Sequence, residues 1–171
     1  APTEMADKKT VYGNISPAYT FVAQTAEVTV DTETGQVDVT RLVAADDLGK
    51  ILNPLAVEGQ LNGEIVQGLG YAICENLVSE GGQFANGSLA DYTIPRSVGL
   101  PKIETIIVET NDPNGPFGAK GASECCIVPI GAVISNAIYN ATGVRITSLP
   151  ITPDKILRAL KEKAARESGA P

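Results

Sequence analysis

The sequence predicts an α+β fold, and three features carry that expectation: an alternating hairpin pattern, a long amphipathic segment after it, and two further helical segments beyond a stretch of extended chain. The hairpin is "AEVTVDTETGQVDVTRLVAADD", two strands of alternating apolar and polar residues around "DTETG", with Gly35 at the bend. A polar leader, residues 1–17, precedes it. "LGKILNP" breaks the alternation, and Pro54 suits the first turn of a helix with Asn53 as its cap.

That helix is predicted through "LAVEGQLNGEIVQGLGYAICENLV". At about 100° per residue, Leu61, Ile65, Val66, Leu69, Ala72 and Ile73 share one apolar arc. Gly59, Gly63 and Gly70 share a second, with Gln60 and Gln67 beside them. Glycine inside a helix costs roughly 1 kcal/mol relative to alanine. The stripe therefore marks either a ligand or another backbone coming close, or helix-on-helix packing through small residues, and the pattern does not separate the two.

"SEGGQFANGSLADYTIPRSVGLP" is rich in turn formers, "KIETIIVET" reads as a strand, and "NDPNGPFGAKGASE" is almost all loop formers. A buried helix is predicted from about Cys126 to Ala141, with Pro129 in its first turn and Gly143 ending it. The last helix starts at Thr152, with Pro153 at its first position and Ile156, Leu157 and Leu160 as its stripe. The principal domain is thus expected over residues 18–160, and the charged tail, 161–171, is expected to fray.

A chain of 171 residues with 43% hydrophobic content can bury a core. Its net charge of −7 argues against gripping nucleic-acid phosphates. No apolar run is long enough to span a membrane, and "APTEMADKKT" lacks the hydrophobic core of a signal peptide, so a cytoplasmic chain is expected. Cys74, Cys125 and Cys126 make a poor disulfide framework and suit a reducing compartment. No zinc spacing is present. The absence of histidine excludes Ser-His-Asp and Cys-His machinery supplied by this chain, leaving a carboxylate, Lys, Tyr or Cys for proton transfer.

"GPFGAKGASECCIVP" places one acid, Glu124, after a run of small residues. It lacks the GxxxxGK[ST] spacing of a nucleotide phosphate loop. Its backbone N–H groups can still face an anion or a developing negative charge, which small side chains permit. Glu124 reads either as an acid at the positive end of the following helix or as a proton-transfer group.

Taken together, "DDLGKILNPLAVEGQLNGEIVQGLGYAICE", "FGAKGASE" and "AVISNAIYNATGVRITSLPITPDKI" occur in an order that closely resembles one family. It is the molybdenum hydroxylases, the xanthine dehydrogenase and aldehyde oxidoreductase family, and the resemblance runs from about Ala18 to Leu160 in the C-terminal part of the molybdopterin-binding large subunit. The resemblance implies a molybdenum ion held by a molybdopterin, as such or as a dinucleotide, with no metal ligand from the protein. Glu124 matches the glutamate ending the family's GxKGxGE segment and is implied to be the catalytic base. Gln60 matches a glutamine that bonds the pterin, and Gly118, Ala119, Lys120, Gly121, Ala122 and Ser123 are implied to be cofactor-binding. "GASE" stands where "GVGE" is usual, and Cys125 and Cys126 stand where a small residue or proline is common.

The implied reaction is hydroxylation of an N-heterocycle or aldehyde with water as the oxygen source. Carbon monoxide oxidation, dehydroxylation of an aromatic thioester, and a non-catalytic scaffold are the alternatives. Because the family's large subunit is several times longer, a split subunit is expected. It would require a chain carrying the rest of the molybdopterin subunit, an iron–sulfur subunit with 2Fe–2S clusters, a flavin subunit with FAD, and a small-molecule substrate.

Overall fold

The structure, a computed structural model, describes residues 7–10 and 18–169. Strand β1, Phe21–Val30, pairs antiparallel with β2, Val37–Asp47, and an irregularity between Glu27 and Val28 shifts the register. The turn forms because Asp31 Oδ1 accepts the N–H groups of Glu33 and Thr34 at 2.8 and 3.2 Å. Gly35 takes φ 75°, which a side chain there would resist. Along β2 and the residue after it, Leu42, Ala44, Asp46 and Leu48 are buried in strict alternation. Asp46 is therefore a carboxylate in phase with the core.

Helix α1, Pro54–Ile73, has Asn53 Oδ1 accepting the Ala56 N–H at 3.1 Å as its cap. It buries Leu61, Ile65, Leu69 and Ala72, while Val66 and Ile73 are half-buried. The helix stops short of the expected "CENLV" because the Gly70 carbonyl receives the N–H groups of both Cys74 and Glu75, at 3.0 and 2.8 Å, turning the chain away. The turn-rich segment carries a small hairpin that its composition concealed, β3 (Ser79–Glu80) with β4 (Gln83–Phe84), bent at Gly81 and Gly82.

Strand β5, Lys102–Val108, lies parallel to β2, so the sheet order is β1-β2-β5 and α1 belongs to the β2–β5 crossover. Arg41, on the central strand, joins all three: its Nη1 donates to Glu27 and its Nε to Glu104, both at 2.9 Å. Helix α2, Ile130–Thr142, starts four residues later than expected from Cys126. Cys126 has its N–H and C=O taken by side chains rather than by a helical turn. Gly143 ends α2 in the left-handed region at φ 74°.

Helix α3, Pro153–Glu167, begins as the sequence indicates but continues through residues expected to fray. Lys163 Nζ donates to the Thr142 carbonyl at 3.0 Å, which fastens that part of α3 to the end of α2. The core joins Leu42 and Leu48 of the sheet to Leu61 and Ile65 of α1, Ile130 and Ile134 of α2, and Ile156 of α3. Of the leader, only residues 7–10 lie within the described residues. Among the described residues no helix is long and apolar enough to cross a membrane.

Candidate functional site

Just beyond the paired ends of β2 and β5, two loops meet. The Lys50 N–H donates to the Gly118 carbonyl at 2.6 Å and the Lys120 N–H donates to the Leu48 carbonyl at 2.9 Å. Gly49, at φ 68°, makes the crossing possible, since an added Cβ would collide with the Gly118 oxygen. Lys120 Nζ reaches Asp47 Oδ2 at 2.7 Å, and both side chains are largely buried. The Lys120 ammonium, with help from the Thr110 hydroxyl, holds the Asp47 carboxyl below its usual range.

These ties form a groove of about 260 Å³ whose walls include Ile51, Val57 and Gln60 on one side and Ala119 and Ala122 on the other. The structure thus brings Gln60, of α1, together with the Gly118–Ser123 segment. Gln60 is exposed and its side chain makes no hydrogen bond among the described residues. Around it, α1 is bare: a Cβ added at Gly59 or Gly63 would meet nothing within 4 Å. Gly70, expected on the same open stripe, is instead covered by Glu75 and Pro95. Gly68, which the stripe did not include, is the true packing glycine, with Ile130 2.7 Å from where its Cβ would stand.

Beyond Lys120 the backbone is sparsely tied. The Gly121 carbonyl accepts from Thr20 Oγ1 at 3.0 Å, but the N–H groups of Gly121, Ala122 and Ser123 have no partner among the described residues. Glu124 follows at φ 66°, exposed, its backbone in the left-handed region that residues other than glycine rarely enter. Helix α2 begins only at Ile130, so Glu124 is not in its first turn and the helix-end explanation loses its geometry.

Behind Glu124 lies a buried polar cluster. Cys126 is fully buried, and each of its polar atoms is held by a side chain of a different element. Its N–H donates to Glu64 Oε2 at 2.6 Å, its thiol donates to Asp46 Oδ2 at 2.9 Å, and its carbonyl accepts from Gln24 Nε2 at 2.7 Å. Burial pushes the Asp46 and Glu64 carboxyls up, with the cysteine thiols and, for Glu64, the Cys126 and Glu124 N–H groups pulling the other way. The Cys126 thiol is pushed up by the adjoining Cys125 thiol, by burial and by Asp46. It is thus a structural donor and not a nucleophile.

Gln24, Asp46 and Glu64 were not singled out from the sequence. For Asp46 the signal was present in the phase of β2, and for Glu64 in its place on α1 between Leu61 and Ile65. For Gln24 there was none.

A family model described as molybdopterin cofactor-binding domain matches residues 2–101. That stretch contains Gln60 and ends before the segment leading to Glu124. The aldehyde oxidoreductase molybdenum-binding subunit PaoC of Escherichia coli (strain K12) is 37% identical over 163 residues, 92% of this chain and 22% of the relative. The putative xanthine dehydrogenase molybdenum-binding subunit XdhA of the same organism is 39% identical over 144 residues, 82% of this chain and 19% of the relative. Among solved structures, the aldehyde oxidoreductase of Desulfovibrio gigas superposes with a TM-score of 0.84 at 38% identity, over 92% of this chain and 17% of that one. The chain spans about a fifth of the length of the curated relatives it matches, 22% and 19%. By family match, sequence and fold alike, this chain belongs to the molybdopterin cofactor-binding domain family of the molybdenum hydroxylases.

Proposed function

We propose that this chain forms one wall of a molybdopterin-bound molybdenum site, in an oxidoreductase that hydroxylates an aldehyde or N-heterocycle with water as oxygen source, and that Glu124 is the base. The observation carrying this reading is the shared groove, which sets a glutamine with an unengaged side chain opposite a small-residue segment. The groove, together with three successive unspent N–H groups beside it, fits a flat, polar-edged, anionic group. When bound, the molybdenum cofactor supplies the electron-accepting and oxygen-transfer chemistry.

The residues of this chain do the rest. The Gln60 amide, both donor and acceptor, bonds the polar edge of the pterin. Gly121, Ala122 and Ser123 offer N–H groups, while Gly118 and Ala119 keep that side of the groove thin. Lys120 acts through its ion pair with Asp47, which fixes the segment's course. A carboxylate oxygen of Glu124 takes the proton from the oxygen nucleophile as that oxygen attacks the substrate carbon. The remaining walls come from a chain carrying the rest of the molybdopterin subunit, with iron–sulfur and flavin subunits passing the electrons on.

The test is single-turnover reduction of the assembled enzyme by an aldehyde and by an N-heterocycle, with molybdenum measured on the same sample. Glu124→Gln should keep its metal and slow reduction by about 10²–10⁴-fold, the usual range for a general base. A metal-loaded Gln variant reduced at the wild-type rate would remove Glu124 from the mechanism.

A further inference from the structure

We infer that Glu64 is a positioning residue for Glu124: its buried carboxylate, through the Cys126 N–H, fixes the turn that presents the base. The inference rests on the reading of Glu124 given above. From Gly121 to Cys125 the chain spans two anchors, Lys120 behind and Cys126 ahead. Between them the only hydrogen bonds among the described residues are Thr20 to the Gly121 carbonyl and those made with the buried cluster itself, while Ala122 and Cys125 pack against the core. The Glu124 N–H also lies close enough to Glu64 to stabilise its ionised form.

A left-handed backbone at a glutamate persists only where its surroundings impose it. Here Cys126, two residues on, is held at N–H, thiol and carbonyl from α1, β2 and β1. Of the three posts, Glu64 holds the N–H, the polar atom of Cys126 that lies nearest to Glu124 along the chain. The cluster is costly to keep: Gln24 Oε1, Asp46 Oδ1 and Glu64 Oε1 are buried acceptors without a donor among the described residues. A fold seeking stability alone would fill this space with aliphatic side chains. What the polar cluster adds is a single direction for the backbone entering Glu124.

The experiment is a double-mutant cycle on the assembled, molybdenum-loaded enzyme, read as the single-turnover reduction rate at saturating substrate. Glu64→Leu removes the acceptor at similar bulk and should slow reduction about tenfold to a hundredfold, the scale of a misplaced reacting group. Glu64→Gln keeps an acceptor for the Cys126 N–H and should stay within about twofold of wild type. In a Glu124→Gln background, Glu64→Leu should cause no further loss, since a base already absent cannot be misplaced.

Wild-type rates for Glu64→Leu beside a slow Glu124→Gln would overturn the positioning role and leave the base standing. Equal losses in both backgrounds would make Glu64 a structural residue only. A fast Glu124→Gln would bring down the base assignment, and this inference with it. Should Glu64→Leu fail to load molybdenum, Glu64→Met removes the same acceptor with an unbranched side chain, and an unchanged rate there overturns the proposal.

Discussion

At the scale of single residues, the two adjacent aspartates of β2 meet opposite fates because a strand alternates its side chains. Asp47 faces Lys120 and is drawn down, while Asp46 faces the core and is pushed up by burial. The sign for Asp46 follows directly. Its charged form costs the fold nothing below the ordinary value of 3.8, and the cost grows as pH rises from there toward the raised folded-state pKa. Asp46→Asn should therefore gain more in Tm over wild type at about pH 7 than at about pH 4, as thermal unfolding at the two pH values would read. Lys120→Met strands a buried partner and should cost about 3 kcal/mol, the lower end for a broken buried pair, because Thr110 and Gly49 still donate to Asp47. Chemical denaturation checks it. Gln60 and Glu124 stood out in the sequence by type, and the structure adds their placement, Gln60 on the groove wall and Glu124 exposed at φ 66°. Residue chemistry was hidden where it depended on a third element, as with Gln24, whose partner Cys126 comes from a distant part of the chain.

At the scale of elements, α1 does two jobs with one residue type. Gly68 lets α2 approach, whereas Gly59 and Gly63 face open space. Gly68→Ala should destabilise the protein by pressing on Ile130, while Gly63→Ala should be neutral or stabilising by up to roughly 1 kcal/mol in the purified chain, as alanine is the better helix former. If the bare face receives the cofactor, Gly63→Ala should nonetheless lower molybdenum occupancy in the assembly. Full occupancy would return the stripe to helix geometry alone. The sheet offers the matching pH test. Glu104, drawn down to about 2 by Arg41 and then Lys102, contributes stability that is present above its ordinary value of 4.5 and lost as pH falls toward about 2. The Tm loss of Glu104→Gln should accordingly shrink between about pH 7 and pH 3, opposite to the trend for Asp46→Asn. Strand and helix cores were readable from periods of two and 3.6. The starts of α1 and α3 and the end of α2 were readable too, from Asn53 and Pro54, Pro153 and Gly143. The end of α1 and the start of α2 were not, since Gly70 and Cys126 owe their roles to contacts that local pattern does not encode.

At the scale of the molecule, apolar side chains lie open in the first turn of α1 and in the connecting segments, with Leu55 80%, Phe117 87% and Val98 89% exposed. Surfaces of this kind in a chain spanning a fifth of its relatives suit burial against further protein. The purified chain should therefore take up no stoichiometric molybdopterin, and tight binding by it alone in a cofactor-extraction assay would contradict the reading. The hairpin-then-helices outline was legible in the sequence, but the parallel β2–β5 pairing was not, because it joins residues separated by the whole of α1. That pairing has a consequence for amide exchange. The Lys50 and Lys120 amides close the ladder beyond the sheet, so they should give up their protons only when the whole fold opens. Gly121, Ala122 and Ser123, a few atoms further along the same backbone, have no partner among the described residues to hold theirs and should exchange almost at the rate of free peptide. In the assembled enzyme that contrast should vanish. The three fast amides become a direct report, without any turnover, of whether something sits against them.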